Sequence, residues 1–138
     1  MKVIVQQAKD LVMIGKGDSG HWVVMDGPKK FKGEEAGARP MELLLISLGG
    51  CTGMDVISLL DKMKVKYKDL RIEIEAQRAD EHPKVFKDIK INYIIWGKDV
   101  DENAFKKAIE LSQTKYCSVS VMLKKACKLS YSYKIIRE

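Results

Sequence analysis

The stretch Arg39–Val56, RPMELLLISLGGCTGMDV, decides how this chain is read. Pro40 marks a helix start, because proline is favoured at the first helical position. Met41, Leu44, Leu45, Leu48, Thr52, Val56, Leu59, Leu60 and Met63 follow at three- and four-residue spacing, so the helix is expected to run to about Met63. Its first half, LLLISLGG, is apolar on every side and should be covered on more than one face. Gly49, Gly50 and Gly53 then surround Cys51. A helical glycine costs about 1 kcal/mol relative to alanine, so the glycines need a reason. They strip side chains from around a thiol, which admits either another packed backbone or a ligand.

Outward from this helix the chain alternates short elements. VIVQQA, LVMI and HWVVM read as three strands, with a loop at Gly15–Gly20 and a stop at Asp26–Pro28. KKFKGEEAGAR is polar and glycine-bearing, and is expected to be a mobile connection. After the helix, Leu70, Ile72, Ile74 and Ala76 alternate with polar residues, and Val85, Ile89, Ile91, Tyr93 and Ile95 repeat the pattern. This is a hairpin with one wet face. Asp99 and Glu102 have capping-box spacing before a second helix, with inner residues Phe105, Ala108, Ile109, Ser112 and Tyr116. A further short helix is expected from Cys117. A last strand carries Leu129, Tyr131, Tyr133 and Ile135. The order is βββ-α-ββ-αα-β, an α+β chain with antiparallel sheets and segregated helices. One domain is expected over 1–138, with a β unit at 1–38 and a helix–hairpin–helix–strand unit at 39–138.

Composition narrows the function classes. The 138 residues are 46% hydrophobic and 32% charged, and carry a net charge of +6. The positive excess comes from 21 Lys against 4 Arg, dispersed among 19 acids. A solvated lysine surface accounts for it better than a nucleic-acid site. No apolar run is read as crossing a bilayer, and the N-terminal stretch has no secretory core, so a soluble cytoplasmic protein is expected. His21 and His82 stand alone and no Cys-x-x-Cys occurs, so neither a metal nor another cofactor is called.

Three cysteines remain. Cys51 can be a small buried hydrophobe or a reactive thiol, and the helix alone leaves this balanced. Cys117 falls where a helix begins, and free N–H groups there favour a thiolate; a packing residue at the helix start is the other reading. Cys127, at a helix-to-strand junction, is read as structural. One cysteine in a buried helix and one at a helix start is the layout of a two-cysteine redox site. There a sulfenic acid condenses with a second thiol, and an outside dithiol reduces the pair.

RPMELLLISLGGCTGMDVISLLDKMK and KYCSVSVML resemble the two cysteine signatures of the OsmC/Ohr family, the osmotically inducible and organic hydroperoxide resistance proteins. Both the Pro-x-Glu-Leu-Leu-x(6)-Cys and Cys-x-Val-Ser forms match. The likeness is nearest to the OsmC-like branch. The resemblance implies an intertwined homodimer with antiparallel sheets around long central helices and a reactive site at the subunit interface. It implies a thiol-dependent peroxidase acting on hydroperoxides, organic ones given the apolar helix, with an external dithiol as reductant. Cys51 would be the peroxidatic nucleophile and Cys117 the resolving thiol. The family pairs an arginine with a glutamate directly after the proline. Here that position is Met41, and the N-terminal strands contain no arginine. Arg39 and Glu42 are the candidates for this pair, at three-residue spacing. Glu42 lies nine residues before Cys51, roughly 13.5 Å along an ideal helix and on the opposite face. The rival reading is a non-enzymatic module that binds a small apolar or thiol-bearing ligand on the same fold.

Overall fold

A computed structural model describes all residues, 1–138. The chain forms two compact units, Met1–Ile46 and Ser47–Glu138.

In the first unit, β1 (Ile4–Lys9), β2 (Val12–Lys16) and β3 (Trp22–Met25) make an antiparallel sheet in the order β1-β2-β3. Strand β2 extends through Gly15 and Lys16, so the expected loop starts two residues later. Val5, Trp22, Val23 and Val24 are exposed, so the unit leaves this sheet's apolar side chains in water. The connection to the helix is not the mobile segment expected. Asp26 is 3% exposed, and its carboxylate accepts hydrogen bonds from the backbone N–H groups of Gly27 (2.7 Å), Glu34 (2.9 Å) and Ala36 (3.1 Å). Burial pushes this carboxyl's pKa up, but the three donors outweigh it and hold it below the ordinary value. The loop folds back so closely that a side chain at Gly33 would collide with the carbonyl of Gly27. Composition alone could not show that one aspartate organises the loop.

Helix α1 (Pro40–Lys62) leaves the first unit and supplies much of the second. At its start Arg39 stands where a capping side chain would serve better. Glu42 makes good the deficit by accepting the Arg39 backbone N–H at 3.0 Å, the return half of a capping box. Leu48, Val56 and Leu60 are fully buried, whereas Ile46, Met54 and Ile57 are exposed. The all-round cover expected for LLLISLGG is therefore absent within one chain. By length and composition α1 could cross a bilayer, contrary to the sequence reading. Yet its buried stripe packs in a protein core and includes the polar Thr52.

The second unit is built on β4 (Asp69–Arg78), β5 (Phe86–Trp96) and β6 (Lys128–Ile136), in the order β4-β5-β6. The β4–β5 hairpin is antiparallel, pairing Ile72 with Tyr93 and Ile74 with Ile91. Strand β6 runs parallel to β5, with Ile91 opposite Tyr131. The sheet is therefore mixed, a correction to the antiparallel reading. A parallel partner needs a long crossover, supplied here by α2 (Glu102–Leu111), a π-helical turn (Ser112–Tyr116) and α3 (Ser118–Lys124). The cap of α2 is Asp101, which accepts from Ala104 N at 3.0 Å, rather than Asp99. Ile89, Ile91, Tyr93 and Ile95 of β5 are fully buried, together with Phe105 and Ala108 of α2. Tyr116, expected on the inner stripe, is exposed because the π turn rotates it outward.

Ile91 sits at the centre of this core. Ile91→Ala should lower unfolding free energy by about 2–5 kcal/mol, read from urea denaturation. A loss below 0.5 kcal/mol, roughly that of a surface substitution, would contradict this packing.

Candidate functional site

Two elements of the second unit bring the cysteines together. Cys51 lies on α1, half-buried, and Asp55 follows one turn later on the same side. Cys117 is the N-cap of α3 and fully buried. The π turn delivers it there, with the Cys117 N–H bonded to the carbonyl of Ser112 at 2.8 Å. Single π turns inside helices recur at functional sites. Cys51 Sγ, Cys117 Sγ and a carboxylate oxygen of Asp55 all lie within 4.8 Å of one another.

The glycines around Cys51 have different reasons. A Cβ at Gly49 would come within 3.3 Å of Ile74 Cδ1, so Gly49 lets β4 pack closely. A Cβ at Gly53 would make an ordinary 3.5 Å contact with Ile72, and one at Gly50 would meet nothing within 4 Å. Packing against the chain's own sheet thus explains Gly49, and the space beside Gly50 is open.

A buried polar chain fixes these elements. Ser112 Oγ donates to Asp55 Oδ2 at 3.0 Å. Its single proton is then spent, so Thr52 must donate in the 2.7 Å bond to Ser112, and Tyr93 must donate in the 2.6 Å bond to Thr52. Gln113 Nε2 donates both its protons, to Tyr93 OH at 2.7 Å and to Thr52 Oγ1 at 3.2 Å. The hydroxyls of Tyr93, Thr52 and Ser112 therefore all point toward Asp55. Gln113 Oε1 is left buried with no partner. Burial raises the Tyr93 pKa to about 12, against the smaller favourable effect of its bonds to Thr52 and Gln113.

The Cys117 thiol differs from the sequence expectation. Its sulfur accepts the Ser120 N–H at 3.4 Å, as a helix cap should. Nevertheless its pKa is raised. Burial dominates, the contacts with Ser120 work against it, and the neighbouring Cys51 adds to it. A seven-residue helix start does not overcome the loss of water. The Ser120 hydroxyl leans on this sulfur without reaching hydrogen-bond geometry, so its Oγ lacks a full partner. A cleft of about 80 Å³, lined by Asp55, Ser58, Leu59, Lys62 and Tyr116, opens beside the cluster. That is room for a few waters.

Arg39 and Glu42 belong to the first unit, where they form an ion pair at 3.9 Å, and Arg39 also meets Glu35 at 3.5 Å. All three side chains are about half exposed, so the pairs are worth little in stability. Cys127 is half-buried at the α3–β6 junction, its thiol donating to the Leu123 carbonyl at 3.4 Å.

Sequence reading missed Asp55, Thr52, Tyr93, Ser112 and Gln113. Asp55 was within reach, since a carboxylate four residues after a candidate cysteine shares its helix face. Ser112 and Gln113 were hidden by the π turn, which breaks the 3.6-residue phase.

Fold and site together define a small α+β protein with a paired-thiol centre between a long helix and a short helix start. The family model for OsmC-like proteins matches residues 32–132, and the chain belongs to that family. It is 35% identical to the Escherichia coli protein YhfA over 136 residues, 99% of this chain and 98% of that one. A crystal structure from Aquifex aeolicus is 34% identical with a TM-score of 0.81, covering 97% of this chain and 96% of that one. An organic hydroperoxide resistance protein from Legionella pneumophila shares the fold at a TM-score of 0.71 and 14% identity, covering 97% of each chain.

The raised phenol of Tyr93 has a consequence at alkaline pH. The unfolded chain releases this proton near pH 10, while the folded chain holds it to about pH 12. The associated stability is present in full below pH 10 and is lost as pH rises through that window. Wild type should therefore lose roughly 2–3 kcal/mol more than Tyr93→Phe between pH 9.5 and 12, measured by urea denaturation at each pH. Parallel losses in both proteins would contradict the buried, neutral Tyr93.

Proposed function

We propose that this protein is a thiol-dependent peroxidase that reduces hydroperoxides, organic ones above all, through Cys51 and Cys117. The observation that carries this reading is the approach of the two sulfurs and the Asp55 carboxylate to within 4.8 Å. The hydroperoxide resistance activity in the name of the Legionella pneumophila protein supports it.

Cys51 is the better nucleophile candidate because it is only half-buried, whereas Cys117 is fully buried. The Cys51 thiol gives its proton to a nearby acceptor, and Asp55 is in reach. The thiolate attacks the outer peroxide oxygen, the O–O bond breaks, and the alkoxide leaves as an alcohol after taking a proton. Cys51 is now a sulfenic acid. Cys117 attacks its sulfur, the S–S bond forms, and water leaves with the Cys117 proton. An external dithiol supplies two electrons to restore both thiols. The roles that the family resemblance implies for Arg39 and Glu42, thiolate stabilisation and orientation of the guanidinium, belong to the same proposal. Their ion pair supports the orienting role.

The proposed working form is a soluble cytoplasmic homodimer. Within one chain only Leu48, Thr52, Gly53, Val56 and Leu60 of α1 are buried, and Ile46, Met54 and Ile57 lie exposed along it. A second copy supplies the cover that the chain itself does not.

Two measurements check these readings. Cys51→Ser should abolish consumption of cumene hydroperoxide with excess dithiol. Cys117→Ser should complete about one turnover and then over-oxidise at Cys51. Equal multi-turnover activity in both variants would refute the assignment, and a folded but inactive wild type would favour the binding-module reading. Sedimentation at micromolar concentration should give a dimer; a folded monomer there would overturn the assembly.

A further inference from the structure

Cys51, Asp55 and Cys117 form a donor set that no paired sequence spacing could announce, since two come from one helix turn and the third from 62 residues beyond Asp55. We propose that, when both cysteines are reduced, these three side chains bind one thiophilic divalent cation of the Zn²⁺ class. The site does not depend on the peroxidase reading; only its release by hydroperoxide does.

Geometry comes first. Zinc holds thiolate sulfur at about 2.3 Å and carboxylate oxygen at about 2.0–2.2 Å in a tetrahedron. Its ligand atoms then stand roughly 3.4–3.8 Å apart. Three donors already within 4.8 Å need only small side-chain adjustments to meet that figure. Two of the three donors are also held from behind, as metal ligands usually are. Ser112 donates to Asp55 Oδ2 and leaves the carboxylate's remaining lone pairs for the cation. The Ser120 N–H fixes the Cys117 sulfur. Cys51 is carried by the middle of α1.

Charge and unsatisfied groups point the same way. Asp55 makes no ion pair with any lysine or arginine, although it is half-buried beside two sulfurs. Lys62 lines the same cleft without pairing with Asp55, and a cation shared with the thiolates would put positive charge in direct contact with all three donors. Ser120 is fully buried next to Cys117, and its Oγ lacks a full partner. The adjacent cleft has room for water, so a tetrahedral ion with three protein ligands can take its fourth from solvent. Two soft thiolates select Zn²⁺ over Mg²⁺ or Ca²⁺.

The site and the disulfide exclude one another. Two thiolates and a hydroperoxide, with two protons, give the S–S bond, an alcohol and water. The two electrons pass from sulfur to the O–O bond. Both sulfur ligands are lost in that step, so the cation leaves. Bound metal would conversely hold the thiolates away from oxidants. The centre thus becomes a cation store that hydroperoxide opens.

The test uses the reduced, chelator-washed full chain and Co²⁺ as a spectroscopic probe, with Zn²⁺ as competitor. One Co²⁺ per chain should bind, with thiolate-to-cobalt charge-transfer absorption and ligand-field bands of tetrahedral intensity, and Zn²⁺ should displace it. Cys51→Ser and Cys117→Ser should each weaken binding by at least about a hundredfold, and Asp55→Asn by roughly tenfold or more. Cys127→Ser should bind like wild type. Circular dichroism and thermal melts of every variant separate lost binding from lost fold. No charge-transfer band in wild type would overturn the proposal. So would Co²⁺ uptake that survives either Cys51→Ser or Cys117→Ser in a folded protein. Peroxide turnover is measured separately with chelator present, so failure of the metal site and failure of the peroxidase reading give different results.

Discussion

The second unit depends on one buried chain of hydroxyls. Tyr93 from β5, Thr52 from α1 and Ser112 from the π turn form a continuous hydrogen-bonded line ending on Asp55, with Gln113 braced across it. Buried polar groups are costly when unpaired, so elements that share such a chain cannot slide independently. The line ties the helix that carries Cys51 to the turn that delivers Cys117. Their proximity is therefore a consequence of the core and not of a flexible surface loop. The proton order in the line is also imposed. Because a carboxylate only accepts, each hydroxyl must donate toward Asp55.

Helix α1 has to satisfy two demands at once. One face packs on the sheet through Leu48, Val56 and Leu60, and Gly49 lets β4 approach. The other face carries apolar side chains into water in the isolated chain. The small sheet of the first unit shows the same imbalance, with Trp22, Val23 and Val24 exposed. Under the proposed assembly these exposed apolar side chains are the face that a second copy covers.

Much of this was legible in the residue pattern. The alternation from Leu70 to Ala76 reads directly as a half-wet strand, and the structure buries that side partially and leaves Arg71, Glu73 and Glu75 exposed. The restart at Cys117 correctly located the beginning of α3. Other features depend on tertiary context. Nothing in β6 itself says that it pairs parallel to β5, because alternation carries no direction. Asp101 competes with Asp99 for the α2 cap, and only backbone geometry separates them. Helix-start logic favoured a thiolate at Cys117, but it could not weigh the burial that reverses the shift. In the polar line, a tyrosine, a threonine and a serine far apart in sequence look like ordinary core and surface residues until the fold aligns them.

The central claim is that Cys51 and Cys117 form a two-electron redox pair. The most direct measurement is peptide mapping by mass spectrometry, without reduction, after the reduced and chelator-treated protein meets a single equivalent of cumene hydroperoxide. A Cys51–Cys117 linked peptide should accumulate nearly stoichiometrically, with Cys127 recovered as a free thiol. Sulfinic or sulfonic acid at Cys51 without that link, or a disulfide formed through Cys127, would contradict the account.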